Sequence, residues 1–210
     1  SSFGAAGQRC LAGSVLVAVG DKQRQDEVRE ALRAAAEALK VGAGSDPDTD
    51  VCPMVGPDSR ERAERMVGEA VDGGAELVLD GRIDGGEAGS FLEPTIVETD
   101  DFESDLAREE LFGPVLAFIR ASDLDDALEF VNGSRYGNSG SIFTQSGDAA
   151  RSYRYGAEAG MLGVNIGVPA PVAWFPFSGW KDSLDGDLHA NGSDAVEFYT
   201  RKKVLTSRWR

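Results

Sequence analysis

The stretch 14–40, SVLVAVGDKQRQDEVREALRAAAEALK, reads as a buried strand followed by an amphipathic helix. Residues 14–19 form an apolar run of strand length, and from Asp26 to Lys40 the apolar residues return every three to four positions. The acidic pair at the start of this predicted helix suits the positive end of the helix dipole. A strand that leads into a helix is the first half of a βαβ unit, which indicates a parallel sheet.

The same alternation continues along the chain. Further strands are predicted at 76–79, 91–97, 115–119, 141–144 and 161–166, and further helices at 59–71, after Asp123 as N-cap, and at 148–155. Residues 41–57 read as a loop, and residues 195–209 read as a β-rich tail. We therefore predict an α/β fold, with a mostly parallel sheet, flanking helices and a C-terminal β oligomerisation tail.

The composition is that of a soluble protein with one domain or slightly more. The 210 residues carry a net charge of -15, spread along the chain, which argues against nucleic acid or an anionic membrane as partner. A carboxylate-rich surface with only five lysines favours a high-salt cytoplasm, and an ordinary acidic protein is the alternative. Without a long apolar run or a leader-like start, we expect a cytoplasmic protein. The start without Met reads as a piece of a longer chain.

Cys10 is the candidate nucleophile. It follows Gly7 and Arg9, so small neighbours and a permanent cation surround a thiol that must ionise to react. The alternative is an inert, buried cysteine. Cys52 lies in the predicted loop and reads as structural, with both thiols reduced. One histidine and no Cys/His clustering predict no metal site, and no Gly-x-Gly-x-x-Gly fingerprint follows a strand.

Five segments occur in order that together resemble a known family. They are Gly7–Cys10, Glu109–Val115, Tyr136-Gly137 before Ile142–Thr144, Gly163–Asn165 and Pro176–Gly179. The set resembles the C-terminal half of the aldehyde dehydrogenase superfamily. A second set of segments is similar to the CoA-acylating, methylmalonate-semialdehyde dehydrogenase branch. These are 3–10, 168–171 leading into 175–179, 186–187, 198–200 and 206–209.

This resemblance implies a site and its cofactors. Cys10 would be the catalytic nucleophile and would carry a thioester, with NAD as cofactor, CoA as co-substrate and a small semialdehyde as substrate. Arg9 and Phe177 would bind the substrate, Arg9 through a substrate carboxylate and Phe177 as an aromatic of the substrate tunnel. Core packing is the alternative for Phe177. Glu110 and Phe112 would bind the cofactor, at the nicotinamide ribose and beside the nicotinamide.

The resemblance also implies a domain plan and leaves three readings open. Residues 1–194 would be the nucleophile domain, truncated at its N-terminal end, and 195–210 an oligomerisation strand, with the cofactor-binding domain absent. The intact enzyme would be a homodimer or homotetramer. Besides the CoA-acylating enzyme, the chain fits a hydrolytic NAD(P)-dependent aldehyde dehydrogenase, or a non-catalytic fragment that folds and associates but is inactive alone.

Overall fold

A four-stranded sheet forms the centre of the fold. The computed structural model describes residues 1–83 and 89–210. The strands lie in the order β1–β4–β3–β2, with bounds Val15–Val19 (β1), Glu76–Leu79 (β2), Thr95–Glu98 (β3) and Val115–Ala121 (β4). Strands β1 and β3 pair with β4 in parallel, and β2 lies antiparallel at the edge. The prediction of an α/β fold with a mostly parallel sheet is confirmed.

Strand β4 is buried along nearly its whole length. Residues 115–119 are all buried, and Phe118 is fully enclosed in the main apolar core. The helices α1 (Lys22–Glu37) and α2 (Pro57–Asp72) pack against the strands on either side of it. Because β1 and β4 are parallel neighbours, the segments that precede them meet at the same edge of the sheet. One of these segments is the loop that contains Cys10, residues 1–14, which we call the Cys10 loop. The other is the loop before β4, residues 109–114.

The helix boundaries differ from the predicted ones at their N-termini. Helix α1 begins at Lys22, four residues before the predicted start, because the Asp21 carboxylate caps the N–H of Arg24 at 2.9 Å. The first turn is polar, so apolar periodicity could not reveal it. Helix α2 begins at Pro57, whose missing N–H costs nothing at the first helical position. The predicted cap Asp123 is confirmed, since its carboxylate accepts from two backbone N–H groups of α4 (Leu124–Asn132).

The strands also differ at their ends for local reasons. Strand β3 begins at Thr95 and not at Phe91, since Pro94 has no N–H to contribute to a ladder. The predicted strand 141–144 lies instead at Ser139–Ile142 (β6), parallel to Met161–Val164 (β7), which ends before the predicted Ile166. The Asn165 side chain bonds both backbone groups of Thr144, so residues 143–144 leave the ladder.

The remaining elements surround this second, two-stranded sheet. Helix α3 (Asp105–Arg108) precedes the loop before β4. Strand β5 (Tyr136–Gly137) pairs antiparallel with β8 (Trp180–Lys181), and α5 (Gly147–Gly156) packs on α4. Tyr153 of α5 is buried, and its hydroxyl has no hydrogen-bond partner within 1–83 and 89–210; burial raises the pKa of Tyr153 to about 12.

The predicted β tail is wrong for its first residues. Residues 195–199 lie in a helix, α6 (Gly192–Tyr199), which runs through the predicted domain boundary after 194. Residues 200–210 form no regular secondary structure and are exposed. Aromatic and β-branched side chains favour strands only where a partner strand is present, whereas a helix satisfies its backbone hydrogen bonds within itself. Cross-subunit pairing of this tail stays a prediction.

Three further properties concern the described residues. No helix in 1–83 or 89–210 is long and apolar enough to cross a membrane. The same ranges contain no group of three or more His, Cys, Asp or Glu side chains placed to hold a metal ion. Cys10 and Cys52 are both free thiols, Cys10 exposed and Cys52 half-buried in its loop.

Candidate active site

The loop before Cys10 has an unusual backbone. It contains a 3-10 turn at Gly4–Gly7, in which Ala5 and Ala6 both have φ 54°. A left-handed conformation costs an alanine about 1–2 kcal/mol, so the surrounding structure must hold it. Phe3 and Ala6 supply that hold, since both side chains are buried in the main core. The Cys10 loop is therefore a rigid, strained segment anchored from within.

Gly7 joins the Cys10 loop to the loop before β4. Its φ is +66°, and a Cβ built on it would lie 2.5 Å from the Gly113 carbonyl carbon and 3.0 Å from Pro114 N, in collision with the Gly113 oxygen. No side chain fits between the two backbones. Two of the five sequence segments, separate in the chain, thus meet at a contact that only glycine permits.

Cys10 itself lies in a tight turn on the surface. Ala12 N donates to the Arg9 carbonyl at 2.9 Å, and the Asn138 side-chain amide donates to the Cys10 carbonyl at 2.7 Å. The N–H of Cys10 donates to no acceptor among the described residues. Cys10 is an exposed residue and not a buried one, whereas its role as the nucleophile stays a prediction. This turn therefore presents a thiol and an unoccupied N–H donor together.

The loop before β4 is held from α2 by Arg62. The guanidinium donates to the Leu111 carbonyl at 2.6 Å and to the Glu110 carbonyl at 3.0 Å. The next residue, Phe112, has φ 59° and leaves 41% of its surface exposed. Glu110 is exposed, and no described cation lies within ion-pair distance of its carboxylate. Both predicted cofactor residues therefore project from a clamped loop beside the Cys10 loop.

The segment between α1 and α2 completes this frame. The Gln8 side-chain oxygen accepts from the N–H of Val55 at 2.9 Å. The Met54 side chain lies next to Gly113, as does Ala63 of α2. Three segments far apart in sequence thus support one another around Cys10, and the site depends on tertiary packing rather than on any one of them.

Comparison with known proteins shows the family of this chain. The model of the aldehyde dehydrogenase family matches residues 1–205. The chain belongs to the aldehyde dehydrogenase family. It is 47% identical over 211 residues to malonate-semialdehyde dehydrogenase 1 of Geobacillus kaustophilus and equally to malonate-semialdehyde dehydrogenase 2 of Bacillus anthracis. The resemblance predicted from the five segments is confirmed.

Solved structures of the family share the fold over the whole chain. A methylmalonate-semialdehyde dehydrogenase from Oceanimonas doudoroffii superposes with a TM-score of 0.93 at 40% identity, over 100% of this chain and 43% of that one. An aldehyde dehydrogenase from Mycobacterium tuberculosis, complexed with NAD+, superposes at 0.86 and 32% identity, over 96% and 41%. The curated relatives are likewise matched over 100% of this chain and 43% of their length. The chain therefore spans less than half the length of each of these relatives.

Arg9, the predicted ligand for a substrate carboxylate, is exposed in this aldehyde dehydrogenase chain. One guanidinium nitrogen donates to the Ser1 carbonyl at 3.3 Å and lies against Gly4. No carboxylate of residues 1–83 or 89–210 forms an ion pair with it. Arg9 is therefore an exposed cation next to Cys10 in the chain, and its role as a ligand for a substrate carboxylate stays a prediction.

Phe177 lies half-buried in the segment that leads to β8. Its N–H donates to the Ala190 carbonyl at 2.7 Å. Next to Ala190, the backbone N–H and the ring of His189 bond the Asp194 carboxylate and lower the pKa of Asp194. No hydrogen bond in the described ranges joins Phe177 to the Cys10 loop, so the tunnel role stays a prediction beside core packing.

Sequence reasoning missed two residues that the structure brings to this site. Arg62 belongs to a helix whose exposed face is charged throughout, and Asn138 lies between two short strands. Neither stands in a chemical motif, because each acts on a distant backbone carbonyl. Asn138 directly follows the Tyr136-Gly137 segment of the family resemblance. Its polar side chain at that strand end was the signal in the sequence that could have pointed to it.

Proposed function

We propose that the chain is the nucleophile-bearing part of an NAD-dependent, CoA-acylating semialdehyde dehydrogenase. The observation that carries this is the Gly7–Gly113 contact, which joins the loop of an exposed Cys10 to the loop that presents Glu110 and Phe112. Support for the substrate comes from relatives that are named for malonate semialdehyde and methylmalonate semialdehyde. The substrate would be a small aldehyde that also carries a carboxylate.

The residues of this chain would perform the first step as follows. The Cys10 thiolate attacks the aldehyde carbon, and the new C–S bond leaves an oxyanion on the former carbonyl oxygen. The N–H of Cys10, which has no acceptor among the described residues, would donate to that oxygen. The Arg9 guanidinium, next along the chain, offers two parallel donors to the substrate carboxylate, which a lysine could not.

The residues present fit a nicotinamide cofactor at the Glu110–Phe112 loop. A carboxylate without a cation partner can accept hydrogen bonds from ribose hydroxyls, and an exposed phenyl ring offers a flat apolar face. NAD would supply a hydride acceptor there. If the thiohemiacetal carbon gave up its hydride there, Cys10 would be left with a thioester, which keeps acyl-transfer potential for the thiol of CoA. With methylmalonate semialdehyde, the substrate carboxylate would also leave as carbon dioxide, and a proton would replace it on the carbon.

The proposal is tested on the full-length gene product that contains residues 1–210. We expect NADH formation from malonate or methylmalonate semialdehyde that requires CoA, and a loss of at least about 10³-fold in Cys10→Ala. Cys52→Ala is the matched control and should keep its activity. Turnover without CoA would favour the hydrolytic enzyme, and activity in Cys10→Ala would overturn the nucleophile.

Residues 1–210 by themselves are expected to bind NAD poorly. Glu110 and Phe112 would contact one end of a large ligand, and these contacts cannot offset the entropy of immobilising it. Saturable NADH binding to the 210-residue chain at micromolar concentration, measured by fluorescence, would refute this.

We also propose a homodimer or homotetramer for the intact enzyme, with residues after Ala195 at the interface. Light scattering with and without those residues tests this.

A further inference from the structure

One hydrogen bond ties the backbone of Cys10 to the second sheet. The side-chain Nδ2 of Asn138 donates to the Cys10 carbonyl across 128 residues of sequence, at 2.7 Å. We propose that Asn138 is a positioning residue that sets the Cys10 peptide for attack. This inference rests on the proposed function of Cys10, and it concerns how the nucleophile is held rather than which residue it is.

Asn138 has a firm base for this role. It lies between β5 and β6, and its own carbonyl accepts from Met161 N at 3.1 Å. On its other side, the Gly137 carbonyl accepts from Gly160 N at 2.9 Å. Gly160 in turn approaches Gly179 so closely that a Cβ on it would lie 2.6 Å from Gly179 N. The backbone of Asn138 is therefore fixed on both sides, and its short side chain has little freedom.

The Cys10 loop needs such a tether because it has little regular structure of its own. The contact of Gly7 with Gly113 holds it three residues before Cys10, and the turn closed by Ala12 N holds it two residues after. Between these points, the Asn138 bond holds the peptide that follows Cys10, and so restricts the position of the Cα that carries the thiol and the N–H. Both groups would act on the same substrate carbonyl, so small misorientation lowers the rate.

The chemistry of the amide distinguishes positioning from simple packing. Only a donor can satisfy the Cys10 carbonyl, so Asn138→Leu keeps the size and removes the bond. Asn138→Asp keeps the shape but places a carboxylate oxygen against a carbonyl oxygen. That pair repels when the introduced carboxyl is ionised, and it forms a hydrogen bond when the carboxyl is protonated. The effect of Asn138→Asp should therefore depend on pH.

The test uses the full-length gene product with the semialdehyde, CoA and NAD. We expect Asn138→Leu to lower kcat about tenfold while the KM values for the semialdehyde, CoA and NAD all stay within about twofold. For Asn138→Asp, the ratio of its kcat to that of the wild type should rise as the pH falls from about 6 to about 4, because a carboxyl with the ordinary aspartate pKa of about 3.9 protonates in that range. Asn132→Leu is the matched control: Asn132 also donates at 2.7 Å to a carbonyl, that of Gly156, away from Cys10. It should lower the melting temperature but not kcat.

The outcomes separate this inference from the proposed function. If Cys10→Ala is inactive but Asn138→Leu keeps the wild-type kcat, the positioning role is wrong and the nucleophile stands. If Cys10→Ala stays active, the proposed function fails on its own evidence, and this inference falls with it. Should Asn138→Leu not fold, Asn138→Asp decides: a kcat ratio independent of pH overturns the role, and a ratio that recovers in acid supports it.

Discussion

The substitution Gly7→Ala tests the contact on which the site depends. The new Cβ would lie 2.5 Å from the Gly113 carbonyl carbon, whereas carbon atoms in ordinary contact are about 3.5 Å apart. The two loops must therefore separate by about 1 Å. The φ of +66° costs an alanine about 1–2 kcal/mol, and overpacking adds about 1–3 kcal/mol, so we expect a loss of about 3 kcal/mol in the free energy of unfolding. A 1 Å displacement of the thiol from the Glu110–Phe112 loop should lower kcat about 10²-fold.

The assay compares Gly7→Ala with Gly68→Ala in the full-length gene product. Gly68 lies within α2, and nothing is within 4 Å of where its Cβ would be, so this control should gain about 0.5–1 kcal/mol from helix propensity. Urea unfolding gives the stabilities, and NADH formation gives kcat. If Gly7→Ala matched the wild type in both, the two loops would not be in contact, and the assembly of the site around Gly7 would be wrong.

For three further substitutions, the structure determines whether the KM or the free energy of unfolding should rise or fall. Arg62→Met removes the hydrogen bonds to two loop carbonyls and should raise the KM for NAD about tenfold. Arg62→Lys should give an intermediate KM, because an ammonium group is a point donor and not a fork. An unchanged KM would show that Arg62 does not hold the loop before β4. Tyr153→Phe removes a buried hydroxyl that has no partner in the described part of the chain, and it should raise the free energy of unfolding by about 1 kcal/mol; a lower value in urea would show that the hydroxyl has a partner. Arg120→Met removes hydrogen bonds to the half-buried Glu98 carboxylate and should cost about 2 kcal/mol at neutral pH. Arg120 is also the main cause of the lowered pKa of Asp26, so that contribution is complete above the ordinary aspartate pKa and disappears as the pH falls through the lowered value. Urea titrations at neutral and acid pH should show the difference between variant and wild type shrinking in acid; a constant difference would exclude this linkage.

The sequence by itself determined the elements whose signals are local. The apolar run of β1, the strand 76–79 and the Asp123 cap were predictable because burial period and capping chemistry act within a few residues. The candidate nucleophile Cys10 and the Glu110–Phe112 loop were predicted from the resemblance of ordered short segments to a family, which requires no knowledge of distance. The start of α1 was missed, since a polar first turn carries no periodicity.

Only the tertiary structure decided how these parts meet. The composition of 195–199 favours a strand, but the segment lies in helix α6, which begins at Gly192. The left-handed backbone at Ala5 and Ala6 contradicts local preference and persists because the core encloses Phe3 and Ala6. The bonds from Arg62 and Asn138 end on backbone carbonyls, which every residue possesses, so no side-chain pattern could point to them. Local sequence sets local conformation, but such contacts depend on which segments the parallel pairing of β1 and β4 brings to one edge of the sheet.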